Sequence, residues 1–250
     1  MRILMVKTSS MGDVIHTLPA LTDAQQAIPG LCVDWVVEEG FAQILLARGG
    51  RSRDSGRNPA LAQNLLSAQT RQEWRTFKQQ LRQERYDAVI DAQGLLKSAL
   101  LVTHNALGTR HGFDRRSARE PLASLFYDRR HRVARDQHAV ERTRQLVAQS
   151  LGYPLPAQRG DYAIARHFTQ QLPMDAGQYM VFLHATTRDE KHWPEAHWRE
   201  LIAWVGRHTT QRIKLPWGAE HEHQRALRLA EGFPTLTFCL KWRCPTSPPY

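Results

Sequence analysis

Two short loops carry most of the side chains able to do chemistry. The first is Lys7-Thr8-Ser9-Ser10-Met11-Gly12-Asp13. It follows the apolar run Ile3 to Val6 and precedes a helical pattern at Val14, Leu18, Leu21, Thr22 and Gln25. Strand, small polar loop and helix in that order put the loop at the carboxyl end of a strand, where open parallel sheets bind ligands. The N–H groups of the helix start, with the hydroxyls of Thr8, Ser9 and Ser10, suit an anion or a sugar hydroxyl. Asp13 has two readings. Ser10-Met-Gly-Asp13 fits S-x-x-[DE], so its carboxylate can close a capping box. It can also be a general base at the mouth of a cleft, although a helix start makes a carboxylate a weaker base.

The second loop is His184-Ala-Thr-Thr-Arg-Asp-Glu-Lys-His-Trp193, after the apolar stretch Met180 to Leu183. The hydroxyls of Thr186 and Thr187 and the compact charge of Lys191 suit a diphosphate. The other reading is a polar loop that caps the helix entered through Pro194. Glu222, near the start of a helix running to Glu231, either accepts bonds from sugar hydroxyls or answers the helix dipole. In Asp91-Ala-Gln-Gly94, Asp91 and Gln93 suit a sugar, or Asp91 caps the next helix. Arg115, Arg116 and Arg119 offer guanidinium forks to carboxylates and phosphates, or form a solvated charged loop.

The intervening elements position these loops. Strands are predicted over Leu31–Val37, Ala88–Ile90 and Gly108–Phe113. A helix is predicted over Gln69–Arg85, with Trp74, Phe77 and Leu81 on one face. Further helices are predicted over Leu95–Thr103 and Gln137–Leu151, the latter closed by Gly152, with His138 structural. The proline-containing stretch Tyr153–Gly160 is a domain boundary. The second part repeats the first: a helix carrying Trp198, Leu201, Ile202 and Val205, then a strand over Arg212–Leu215. Strands alternating with helices predict parallel α/β sheets. The expected division is 1–155, a linker at 156–178, and 179–250.

Composition narrows the classes. Of 250 residues, 34 are Lys or Arg and 24 are Asp or Glu, a net charge of +10 that predicts affinity for polyanions. Residues 107–144 alone carry ten arginines against five acids. Three cysteines, Cys32, Cys239 and Cys244, have no framework spacing. No metal-ligand set, no phosphate-loop motif G-x-x-x-x-G-K-[ST] and no G-x-G-x-x-G occurs. No signal peptide is visible, and no apolar run reaches the ~18 residues of a membrane span.

Val6 to Ala20 closely resembles the start of the bacterial heptosyltransferase I family, the ADP-heptose:lipopolysaccharide heptosyltransferases. Three more stretches resemble it: Tyr86-Asp-Ala-Val-Ile-Asp-Ala-Gln-Gly94, His184 to Pro194, and Ile213-Lys-Leu-Pro-Trp-Gly-Ala219. The resemblance implies two Rossmann-like domains of the GT-B glycosyltransferase type, facing across a cleft, the second incomplete here. It implies inverting transfer of L-glycero-D-manno-heptose from ADP-heptose to the Kdo of Kdo-lipid A, during synthesis of the lipopolysaccharide inner core. Asp13 would be the base. Ser9, Ser10, Gly12 and Arg119 would face the acceptor, and Thr186, Thr187, Lys191 and Glu222 the donor. No cofactor or metal is implied. The expected place is peripheral, on the cytoplasmic face of the inner membrane, or otherwise in the cytoplasm.

Two stretches depart from the family, 46–65 and 235–250. The first contains Arg48-Gly-Gly-Arg-Ser-Arg-Asp-Ser-Gly-Arg57, which has no period. The family's later Asp-Thr-Gly-x-x-His motif does not occur in the chain. Local frame shifts and a truncated second domain would produce this pattern. They lead to the expectation that both stretches are poorly ordered and that these 250 residues transfer little by themselves. The rival class is a non-enzymatic basic binder of nucleic acid or acidic lipid. It has the charge but no RNA-binding signature, so no specific nucleic acid is expected.

Overall fold

The computed structural model describes residues 1–38, 41, 42, 44, 68–164, 179–186, 189–233 and 236–238. The stretch 46–65 and all of 235–250 except Leu236–Phe238 lie outside the described residues, as does Thr187. The chain forms two compact units, Met1–Gln171 and Leu172–Tyr250.

In the first unit, β1 (Arg2–Val6), α1 (Met11–Ile15), α2 (Leu18–Ala27) and β2 (Cys32–Val36) come first. They are followed by α3 (Ala68–Gln83), β3 (Arg85–Asp91), β4 (Leu107–Phe113), β5 (Arg129–His131) and α4 (Ala139–Leu151). All strand pairs are parallel, in the order β2-β1-β3-β4-β5. Parallel strands are covered on both faces, which explains the unbroken apolar run of β1. Its side chains alternate: Ile3 and Met5 pack with Val14, Leu18, Leu21, Leu146 and Val147 on one face. Leu4 and Val6 pack with Phe77 and Leu81 on the other. Gly152 closes α4 at φ 75°, as its position after the last apolar residue predicts.

Two short elements were not foreseen. Arg129-Arg-His131 has no apolar signal, and it is a strand because it pairs with β4 at His111–Phe113. Pro121–Phe126 is a 3-10 helix. The helix expected over Leu95–Thr103 is present but unevenly wound, with i→i+5 turns at Ser98–Val102 and a 3-10 turn at Thr103–Asn105. Asp91 supplies the reason. Its wholly buried carboxylate accepts from Ser98 Oγ and Thr103 Oγ1, both at 3.1 Å, and from Tyr127 OH at 3.0 Å. Residues five apart share a face only on the wider winding.

The ring of His111 stacks on His131 of β5 at 5.3 Å between centroids, with Nδ1 and Nε2 3.0 Å apart. Burial, then the neighbouring His131 and the Arg129 charge, push His111 from 6.5 down to about 4. Between those values the unfolded chain binds a proton that the folded chain refuses, so stability falls as pH drops through this window. The expected loss attributable to His111 between pH 7.5 and pH 5 is about 2 kcal/mol. His111→Phe should remove most of that slope in urea unfolding at the two pH values.

The expected linker begins inside the first unit. Arg144 Nη2 donates to the carbonyls of Pro156 and Gln158, at 3.2 and 2.9 Å. Tyr162 and Ile164 pack on the first core. A side chain at Gly160 would bring its Cβ to 2.6 Å from Cβ of Pro19, so only glycine lets this segment lie so close. Residues 156–164 therefore belong to the first unit by contact.

The second unit holds β6 (Tyr179–Val181), α5 (Glu195–His208), β7 (Arg212–Leu215), α6 (Glu220–Ala230) and β8 (Leu236–Phe238). Its sheet is parallel in the order β6-β7-β8. Ile202, Val205, Ile213, Leu215, Ala226 and Leu229 form its core.

Candidate active site

In the first sheet β1 lies between β2 and β3. The chain leaves β1 towards one edge and later returns on its other side, so the loops after β1 and β3 border a topological switch point. These two loops are tied together. Thr8 N–H donates to Gln93 Oε1 at 3.2 Å, and Lys7 Nζ donates to the Ala92 carbonyl at 3.2 Å. Trp35 Nε1 donates to the Lys7 carbonyl at 3.0 Å, fixing the loop to β2.

Asp13 sits in α1, partly exposed. Ser10 N–H donates to its Oδ2 at 3.3 Å, one half of the capping box that the S-x-x-[DE] pattern predicts. Its other oxygen, Oδ1, lies 3.6 Å from Lys7 Nζ. Capping thus engages one oxygen, and the second faces a buried ammonium. Lys7 is 9% exposed. Burial lowers its pKa, while Asp13 and Asp91 pull the other way. Ser9 is half-buried, and Ser10, Met11 and Gly12 are exposed.

The Asp91 loop brings Arg119 to this place. Gly94 has φ +65° and passes so close to the next turn that a Cβ there would be 3.4 Å from Arg119 N. Glu120 N–H donates to the Gly94 carbonyl at 3.0 Å. Arg119 is exposed, and its charge reaches Lys7. Ser9, Ser10, Gly12, Asp13 and Arg119 therefore share the carboxyl end of β1 and β3. Asp91 does not face a sugar. Its carboxylate also accepts from the N–H groups of Gln93 (2.9 Å) and Gly94 (3.1 Å), and no part of it is exposed. Burial raises its pKa and these donors oppose the rise.

In the second unit the loop after β6 is pinned at both ends by one side chain. Arg225 donates from Nε to the His184 carbonyl (3.1 Å) and from Nη2 to the Trp193 carbonyl (2.6 Å). Its Nη1 reaches Glu195 Oε1 at 3.2 Å. Between those ends, His192 Nε2 lies 3.1 Å from Thr186 N and 2.9 Å from its carbonyl oxygen. Lys191 is exposed, on the 3-10 turn Asp189–Lys191. Glu222 Oε2 accepts from the N–H groups of Gly218 (2.7 Å) and Ala219 (3.0 Å) at the start of α6. Burial works against its charge, but Ala219 and Gly218 outweigh it and hold the carboxyl below its ordinary range. The ring of His184 is buried beside the Pro216 backbone, and burial, then the Arg225 charge, lowers its pKa.

Lys7 and Arg225 are the two residues that loop chemistry alone did not single out. A lysine directly after four buried strand residues is a signal for Lys7. Arg225 gives none, since its partners are about 30 to 41 residues away in sequence.

No group of three or more potential metal ligands occurs among the described residues, and no described helix is long and apolar enough to cross a membrane. Residues 74–242 match the sequence profile of glycosyltransferase family 9 (heptosyltransferase). The chain is 62% identical over 237 residues to lipopolysaccharide heptosyltransferase 1 of Escherichia coli strain K12, covering 93% of this chain and 73% of that protein. Against the Salmonella typhimurium LT2 protein of the same name identity is 60%, covering 93% and 74%. The fold matches the solved structure of E. coli heptosyltransferase WaaC with ADP at a TM-score of 0.89 and 60% identity, covering 97% of this chain and 76% of that one. A second structure of that enzyme, with ADP-2-deoxy-2-fluoro heptose, matches with the same TM-score and identity. The two parallel α/β units are those of a GT-B-type glycosyltransferase, and the chain belongs to glycosyltransferase family 9, the heptosyltransferases.

Proposed function

We propose that this enzyme transfers L-glycero-D-manno-heptose from ADP-heptose to the Kdo of Kdo-lipid A, at the cytoplasmic surface of the inner membrane. The observation that carries the reading is the placement of Asp13 at a sheet switch point. One carboxylate oxygen accepts from the helix start and the other lies 3.6 Å from Lys7 Nζ, which supports a role for it as the base. The E. coli relative, 60% identical, was solved with ADP and with a fluorinated ADP-heptose, which supports the donor class.

In this mechanism the first unit holds the acceptor sugar through Ser9, Ser10, Gly12 and Arg119. Asp13 removes the proton from the attacking hydroxyl, whose oxygen bonds to the anomeric carbon. The bond from that carbon to the diphosphate breaks on the opposite side, so configuration inverts and ADP leaves with the electron pair. Thr186, Thr187 and Lys191 donate to the diphosphate, with the ammonium answering the charge that develops on the leaving oxygens. Glu222 has one oxygen committed to Gly218 and Ala219, and its second is available to donor hydroxyls.

The test is a single-turnover assay with ADP-heptose and Kdo-lipid A. The expected result is one ADP per heptosyl product, with inverted anomeric configuration by NMR. ADP release that is independent of the acceptor, or a retained configuration, would overturn the reading.

A further inference from the structure

The 3-10 helix Pro121–Phe126 has a built inner face and a bare outer one. Ala123 and Tyr127 are buried with Ala99, and Phe126 packs beside them. Leu122 and Leu125 are 58% and 65% exposed. At three residues per turn, positions i and i+3 eclipse, so both leucines project from the same side. The two leucines thus form one contiguous apolar ridge, and contiguous apolar surface rimmed by polar residues is what contact sites use.

The adjoining surface is cationic. Pro121 lines an open cavity of about 670 Å³ with Asp114, Arg115, Arg116 and Arg130. The only acid there is occupied: Asp114 Oδ1 accepts from the N–H groups of Arg116 (3.1 Å) and Ser117 (2.8 Å). Arg115, Arg116 and Arg130 are exposed and have no carboxylate partner among the described residues. Three unpaired guanidinium groups around a cavity suit phosphate, and two leucines beside them suit acyl chains.

We propose that Leu122, Leu125, Arg115, Arg116 and Arg130 form a docking surface for an anionic phospholipid bilayer, with headgroup phosphates at the arginine-lined cavity and the leucines among the acyl chains. A bilayer presents both chemistries side by side over an extended plane, which matches a cationic hollow next to an apolar ridge. The proposal rests on the preceding reading only in placing the enzyme where its acceptor is lipid-borne.

The test is co-sedimentation of the whole chain with large vesicles containing no Kdo-lipid A, made either of phosphatidylcholine alone or of phosphatidylcholine with phosphatidylglycerol. Binding is expected only to the anionic vesicles, and is expected to weaken as salt rises. Leu122→Ser with Leu125→Ser, and separately Arg130→Gln, should each weaken binding roughly tenfold. The double serine variant should leave transfer to a soluble, deacylated Kdo acceptor unchanged. In a further variant, Leu125→Trp, fluorescence quenching by brominated lipids above the wild-type level is expected, and its absence would overturn insertion. Unchanged binding by the double serine variant, or binding only when Kdo-lipid A is added, would overturn the surface. Transfer to the soluble acceptor without any vesicle binding would sink the surface and leave the proposed function standing. Vesicle binding with no transfer to any acceptor would do the reverse.

Discussion

Asp13→Asn, made in a chain of the relatives' full length, is expected to lower heptose transfer by roughly 100-fold or more while leaving donor affinity close to normal. Asparagine keeps the shape of the side chain. Its amide oxygen can still accept from Ser10 N–H, the contact now made at 3.3 Å, so the start of α1 survives. It loses the carboxylate oxygen beside Lys7 and with it the ability to take a proton. Thr186, Lys191 and Glu222, which we propose face the donor, belong to the other unit. If the side chain only caps α1, the substitution should cost at most about 1 kcal/mol of stability and leave turnover nearly intact. Single-turnover rates, donor titration and urea unfolding of the same variant separate the two roles. Near wild-type turnover would rule out the base.

The largest stability effect is expected at a site with no part in the chemistry. Arg144 is 2% exposed and its Nε lies 2.6 Å from Asp23 Oδ2, itself 3% exposed. Nη1 reaches both oxygens of Glu141 at 3.0 Å, and Nη2 reaches two backbone carbonyls. Removing Asp23 takes away the buried half of this pairing and leaves Arg144 only the more exposed Glu141 as a counter-charge, and breaking a buried pair costs about 3–5 kcal/mol. Asp23→Ala should show that loss in urea unfolding, shifting the midpoint without changing cooperativity. Replacing both charges, Asp23→Leu with Arg144→Met, should recover much of it, because no buried charge then remains. A double variant less stable than Asp23→Ala would show that the backbone bonds of Arg144 outweigh its ion pair.

How much of this was legible in the sequence depends on distance along the chain. β7 coincides with its predicted span, Arg212–Leu215, and α4 differs from its prediction only in the first turn, because apolar period and flanking glycine are local signals. The loop after β1 was legible as strand, polar turn and helix start for the same reason. β5 was not, because Arg129-Arg-His131 is a strand only through its neighbour. The ties that make a site of the loop, Lys7 to Ala92 and Thr8 to Gln93, each span 85 residues. No spacing rule reaches that far. Asp91 shows the opposite failure. Its position after a strand suited a sugar ligand as well as a cap, and only five converging protein donors decide for structure. The Arg/Gly stretch at 46–59 lies outside the described residues.

The segment from Pro156 to Ile164 has a practical bearing on how family members can be recombined. Because Arg144 grips its carbonyls, Gly160 rests on Pro19 and Ile164 closes the first core, it functions as a tail that travels with the first unit. A chimera joined at residue 155 would pair one parent's Arg144 and Pro19 with another parent's tail, and any larger residue at position 160 would lift it away. A crossover placed just beyond Ile164 keeps every one of these contacts within a single parent.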